Sequence, residues 1–509
     1  MWRLWLVIAQ PFRVPAQRMR SRAHEQSANT RIALTRSAWV RRPRGWGPAM
    51  AERRVFTPQD FGATPDGPAP CTAALQAGIA AAAAAGGVLR LGTGVWRSGA
   101  LFLQSGMALE IAEGATLRGS TDIADYPLID TRVAGIEMPW PAALINLVGV
   151  QRCALRGAGT IDGDGAGFWA HYWALRAQYA PRGLRWASDY DAQRPRLVLM
   201  QDAQDVFVGG GLQLRRSGFW TLHLCYSRQV RVQDLDIRNN DDGRGPSTDG
   251  IDIDSSEHVL VRRVRIAVND DAIAFKAGRD ADGQRGARAP RDVLVADIDV
   301  HDGATGVAFG SETSGGFERV RVRRLRVRAP VPVGVLVKSA RTRGGWARDL
   351  RLTDVRLDGV AVPLRITLDW NPAYSRAVLP PAEAANAPAH WHTLAAPVPA
   401  AEGLMRLHGL RLQRLHASGA HTAFEVDADA LAPIGSLHLQ HCAIAAAHGG
   451  HLLDVQAVHF EGCRLQLGTP VVLQRAGVAQ GLPAALQTIA PDHPRRDVSA
   501  LAPEVQDVQ

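Results

Sequence analysis

Lysine is nearly missing from this chain. Lys276 and Lys338 are the two lysines among 58 basic residues, which leaves 56 arginines. The composition takes arginine almost everywhere, so the exceptions mark places suited to a compact ammonium on a flexible stem rather than a planar guanidinium. Cysteine is scarce too. Cys71, Cys153, Cys225, Cys442 and Cys463 are scattered, with no CxxC and no His–Cys spacing. That pattern excludes a disulfide framework or a zinc module and leaves them as small buried hydrophobes. Aromatics are 6% of the chain against 50 glycines, a balance that suits short strands and tight turns better than helices. The N-terminal apolar run Leu4–Ala9 is too short for a membrane span or a normal signal core.

The net charge of +9 does not describe the whole molecule. Residues 1–49 hold ten arginines and one acid, Glu25, which accounts for all of the excess. From Met50 onward the charges balance, so no global basic field points to nucleic acid. Residues 1–49 read as a disordered leader or translated upstream sequence, with a transit peptide as the alternative. They are set aside from the fold.

One pattern recurs from about residue 54 to 475. Short runs alternate apolar and polar residues, as in His258–Ile266, Asp292–Val300, Arg319–Val327, Asp349–Leu357, Gly409–Leu415 and Ser436–Gln440. Period-two alternation of this length means half-buried strands. The runs return at fixed intervals: Val206 to Val230 is 24 residues, Val230 to Val259 is 29, Val293 to Val320 and Leu410 to Leu437 are 27, and Leu437 to Val458 is 21. Such a repeat, without a helical period between strands, predicts a solenoid of stacked coils. We therefore expect an all-β, right-handed parallel β-helix over residues 50–475. The Ala-rich Thr72–Ala85 is the one convincing helix and a suitable N-terminal cap. Residues 476–509 read as a C-terminal tail or cover.

The chemistry concentrates in Ser247–Ser256 and Asn269–Gly278. Asp249 and Asp270 are 21 residues apart, about one coil, so equivalent points on adjacent coils would bring them to the inter-strand spacing of ~4.8 Å. Asp271 follows at once. Clustered carboxylates force one of their number to keep its proton at neutral pH. Inverting glycosidases use such a set, with one acid for the leaving oxygen and a carboxylate about 6.5–9.5 Å away to activate water. The competing reading makes these aspartates turn residues or Ca²⁺ ligands. Asp252 and Asp254 alternate with Ile251 and Ile253 and read as structural.

At these residues the sequence resembles glycoside hydrolase family 28, the polygalacturonases and their relatives. The resemblance extends to Asp60–Ala63 with Thr72–Ile79, Gly218–His223, Gly306–Gly316 and Gly334–Gly345, in the family's order. It implies an inverting hydrolase of pectic polysaccharides or oligosaccharides in the plant cell wall, with no metal, cofactor or covalent intermediate. Asp270 corresponds to the general acid. Asp249 and Asp271 correspond to the pair that holds the attacking water, and Lys338 to the lysine that meets the sugar. The implied partner is a carbohydrate, taken up by a monomer, with neither nucleic acid nor membrane involved. A secreted or periplasmic location rests on the resemblance alone.

Four positions depart from the family pattern: Ser247 and Asn269 for Asn and Gly, Thr305 for a histidine, and Leu336 for the arginine that contacts the galacturonate carboxylate. Losing that arginine weakens uronate selectivity and admits a rhamnogalacturonan or pectin side-chain hydrolase. A lyase on the same fold and a non-catalytic carbohydrate-binding β-helix compete with the hydrolase. Arg341 and Arg343 are candidates for the missing cation, His223 and His301 for the missing imidazole, and Trp220 and Trp346 for sugar stacking. The inserts 162–195 and 280–290 are candidates for closing one end of a groove, as exo action requires.

Overall fold

The structure, a computed structural model, describes residues 53–241 and 243–474, with the backbone of one further strand, Leu486–Ile489. The expected leader 1–49 lies outside the described residues. So does the expected tail 476–509, except for that strand, which pairs with Val471–Gln474.

Thirty-one strands join one sheet that coils on itself with parallel pairing. The fold is a parallel β-helix. The apolar residues that set the repeat in the sequence are register partners in the structure. Val206 lies beside Val230, then Val259, Val293, Val320, Leu350, Leu410, Leu437 and Val458 in turn. Stacking like on like gives a continuous interior in which Phe275 and Phe309 lie face to face, 4.7 Å apart. No coil buries its apolar edge without its neighbours, so the stack is the unit of stability.

The corners are legible in the same runs. Six long strands interrupt their alternation with a doublet that stays out of the interior stack: Gln233-Asp234, Arg262-Arg263, Ala296-Asp297, Arg323-Arg324, Thr353-Asp354 and Gln413-Arg414. The second residue of each doublet is left-handed, with φ of 58, 53, 59, 53, 60 and 53°. One such residue turns the chain and returns the next apolar side chain to the interior. Down this column the charges alternate, and Arg263–Asp234, Arg324–Asp297 and Arg414–Asp354 pair across coils at 2.5 Å. Exposed pairs contribute only about 0.2–1 kcal/mol each.

Helix α1 (Thr72–Ala84) packs Leu75, Ile79 and Ala82 onto the first coil, as the cap reading requires. A second substantial helix, α2 (Ala166–Tyr179), corrects the expectation of a single one. Its Phe, Trp and Tyr residues are poor helix formers taken alone; burial of Phe168, Trp169 and Tyr172 holds it. It belongs to the insert 162–195, which packs against a second insert, 369–403. Trp391 stands edge-on to Trp186 at 5.3 Å, and its indole nitrogen donates to Asp191 at 3.0 Å.

Eight consecutive strands carry the site: β1 (Ile145–Val148), β2 (Val198–Gln201), β3 (Leu222–Cys225), β4 (Ile251–Asp254), β5 (Ile273–Lys276), β6 (Thr305–Phe309), β7 (Val333–Lys338) and β8 (Val362–Thr367).

Asp297→Val, which puts a β-branched residue in a left-handed corner slot, should lower stability by about 1–2 kcal/mol. Asp297→Asn loses the charge but keeps the conformation and shifts stability much less. Urea unfolding midpoints compare the two, and equal losses would refute the conformational reading.

Candidate active site

Strands β4 and β5 set the geometry. Ile251 pairs with Ile273, so two residues earlier Asp249 faces Asp271 across the coils, and Gly250 N donates to Asp271 O at 2.9 Å. The register therefore corrects the 21-residue match by one: Asp271, not Asp270, is the equivalent of Asp249. All three still converge, because an oxygen from each lies within 4.8 Å of the others. They are 2%, 8% and 0% exposed for Asp249, Asp270 and Asp271.

Each of the two lysines holds one of these acids. Lys276 Nζ is 3.3 Å from Asp249, with Asp252 and Glu312 each at 3.5 Å. Lys338 Nζ is 3.0 Å from Asp271. Asp271 also accepts from Thr305 Oγ1 at 2.7 Å. Thr305, which stands where the family has histidine, thus bonds one of the acids directly. Burial, reinforced by Asp249 and Asp271, pushes the Asp270 carboxyl well above the usual aspartate range. Burial also raises Asp249, opposed by Lys276. Asp252 is wholly buried beside Asp249 and Lys276, and burial and the Asp249 charge push it far up as well. Glu312 behaves oppositely: burial raises it, but Lys276, Arg343 and Lys338 together hold it low.

The cavity over these acids is lined also by Arg185, Asp189, Trp220, Ser247, Lys276, Glu312, Lys338, Trp370 and Tyr374. Several expectations need correction. His223 is fully buried beneath the floor, its Nδ1 2.8 Å from Arg196 and its Nε2 3.5 Å from Asp254. Burial lowers its pKa to about 4, and it replaces neither the missing imidazole nor a sugar contact. Arg341 pairs with Asp429 at 2.5 Å, away from the cavity. Arg343 is buried against Asp280. Trp220 lines the cavity, but Phe219 stacks on it at 5.1 Å and Lys276 Nζ stands 4.5 Å from its ring, so it offers no open face to a sugar. Leu336 packs with Ala308, Val333, Val362 and Trp370.

Arg185, Asp189, Trp370 and Tyr374 come from the two inserts and carry no spacing signal in the sequence. Glu312 did carry one, since it sits in a motif segment, but its role is visible only once Lys276 is beside it. The insert that joins 162–195 at the cavity is 369–403, while the other candidate for closing the groove, 280–290, forms the short helix Asp280–Gly286 and contributes nothing to the cavity lining. Ammonium groups stand at Asp249 and Asp271 where a cation ligand set would need its ion, which disfavours the Ca²⁺ reading. Asp254, beside His223 and Cys225, lies 3.0 Å from Arg132, and Arg196 touches His223; two guanidiniums oppose a metal there too.

The sequence matches the family Glycosyl hydrolases family 28 over residues 97–379. The chain belongs to this family. It is similar to a probable polygalacturonase of Vitis vinifera, 27% identical over 302 residues that cover 57% of this chain and 58% of that protein. It is also similar to an exo-poly-alpha-D-galacturonosidase of Dickeya chrysanthemi, 25% identical over 371 residues, 63% of this chain and 59% of that protein. The match thus spans about three-fifths of the length of these curated relatives. Among solved structures, the fold is shared with the family 28 exopolygalacturonase of Yersinia enterocolitica, with a TM-score of 0.68 and 20% identity over 86% of this chain and 78% of that one.

The neutral state of Asp252 yields a prediction with a definite sign. The unfolded chain ionises this carboxyl near pH 3.8 and the folded chain holds its proton to higher pH, so the native state loses stability as pH climbs above that value. Asp252→Asn removes the titration. Its unfolding temperature should match wild type at pH 3.5 and exceed it by a widening margin towards pH 7. A margin independent of pH would show that Asp252 is ionised in the fold.

Proposed function

We propose that this protein hydrolyses glycosidic bonds in pectic polysaccharides or oligosaccharides, as a monomer whose single chain supplies the whole cavity. The observation that carries the reading is the unequal treatment of three touching carboxyls. Lys276 and Lys338 stand against Asp249 and Asp271, while burial and those neighbouring carboxyls push Asp270 well above the usual aspartate range. Asp270 then donates its proton to the leaving oxygen. Asp249 and Asp271 hold and deprotonate the attacking water, and Lys338, 3.0 Å from Asp271, steadies the charge and meets the sugar. Family membership and the names of the relatives support this chemistry. The two inserts that interlock beside the acids, together with the exo-acting relative, support cleavage from a chain end.

One observation favours a second stereochemistry. Oxygens within 4.8 Å are closer than the usual ~6.5–9.5 Å of inverting pairs and nearer the ~5–5.5 Å of retaining ones. Against retention, two carboxylates on adjacent coils are placed to share one water, an arrangement that favours direct displacement and inversion.

Asp270→Asn should reduce release of reducing ends from polygalacturonate on the order of 10³-fold; full activity would remove Asp270 from the acid role. Proton NMR of the first product anomer distinguishes inversion from retention. Failure of wild type on polygalacturonate and rhamnogalacturonan alike would end the pectic reading. An ultraviolet-absorbing unsaturated product would identify a lyase.

A further inference from the structure

A uronic acid entering this cavity meets a floor of carboxyls, Asp249, Asp270, Asp271 and Glu312, and needs a cation of its own. Leu336 supplies none. Three cations line the cavity: Lys276, Lys338 and Arg185. Lys276 has three acids within 3.5 Å, and Lys338 is 3.0 Å from Asp271. Arg185 differs. Its Nη1 lies 2.9 Å from Asp189 Oδ2, but that one carboxylate also takes Arg194 Nη2 at 3.1 Å and Ser247 Oγ at 2.8 Å. Two guanidiniums share one carboxylate, so the cluster keeps an excess positive charge. Arg194 is fully buried, with its guanidinium 4.3 Å from the Tyr172 ring and 4.5 Å from that of Phe219. The excess therefore reaches the cavity through Arg185. The Arg185 Nε is buried without a hydrogen-bond partner among the described residues, and an unmatched buried donor favours an incoming acceptor. The guanidinium is also fixed in place, by Asp189 on one side and by the Tyr374 ring 5.3 Å away. Through Asp189 and Ser247 it is tied to the segment that leads into Asp249.

We propose that Arg185, brought in by the insert 162–195, binds the carboxylate of the uronic acid seated beside the catalytic aspartates. It does so from the Ser247 side of the site rather than from the β7 side, where Leu336 stands. This rests on the hydrolase reading and names the group that selects its substrate. A charge-assisted contact of this kind discriminates by about 10- to 100-fold.

The test compares kcat/KM on trigalacturonate and on its fully methyl-esterified form. Wild type should prefer the acid by that factor. Arg185→Gln should bring the ratio close to one through a higher KM on the acid. Arg185→Lys should keep part of the preference and serves where the glutamine variant does not fold. An unchanged ratio in either variant, or a wild type that prefers the ester, overturns the proposal. If wild type cleaves neither trimer, and neither polygalacturonate nor rhamnogalacturonan, the hydrolase reading fails by itself. Calorimetric titration of trigalacturonate then decides the role of Arg185: equal Kd values for wild type and Arg185→Gln overturn it, and a 10-fold or greater weakening supports it.

Discussion

The site depends on placing two ammonium groups among five carboxyls in a region almost closed to water. Burying charges of one sign is prohibitively costly without counter-ions. Lys276 serves Asp249, Asp252 and Glu312 together, and Lys338 serves Asp271. A lysine suits this better than an arginine, because a point charge with rotatable donors reaches acids on several coils, while a guanidinium commits to one plane. Everything acidic about the site follows from the count. Two cations are too few for five carboxyls, and burial beside their neighbours pushes Asp270 and Asp252 furthest above the usual aspartate range. The same imbalance that yields a proton donor makes the site a strained place in the fold at neutral pH.

The coil stack is what makes such crowding possible. A parallel register puts each residue one inter-strand spacing from its equivalents on the coils before and after. Asp249, Asp271 and Thr305 form one such column and place two carboxylates and a hydroxyl side by side. Within β4 and β5, Asp254 and Lys276 share a second column. The interior stack of Ile253, Phe275 and Phe309 holds these columns rigid from below.

Much of this is legible in the sequence because the repeat is local. Val206, Val230, Val259 and their successors announce the register by spacing alone, and the rarity of lysine marks Lys276 and Lys338 before any coil is built. The one-residue error in pairing Asp249 with Asp270 has a simple cause: coils differ in length, and only the apolar partners Ile251 and Ile273 fix the phase. His223 misled for a related reason. In a β-helix, outward-facing residues beneath a covering segment are as buried as the core, and the Arg196 side chain that covers His223 comes from elsewhere in the chain. The pairing of the inserts is illegible for the opposite reason. The contacts of Trp391 with Asp191 and of Arg185 with Tyr374 join residues nearly 200 positions apart, and no periodicity records them.

The departures from the family pattern are connected through these inserts. Leu336 makes the outer face of β7 apolar, and Trp370 packs on that face with Ala308, Val333 and Val362. An arginine at position 336 would place a guanidinium in that contact. Trp370 in turn carries the turn that follows it: its carbonyl accepts from Ser375 Oγ at 2.5 Å, next to Tyr374. Tyr374 flanks Arg185 and lies over the acids with Glu312 at 3.5 Å. Leucine on β7 therefore gives the second insert an apolar seat, and the second insert flanks the arginine delivered by the first. The apolar wall at β7 and the guanidinium of Arg185 are thus joined by one chain of contacts, from Leu336 through Trp370 and Tyr374 to Arg185.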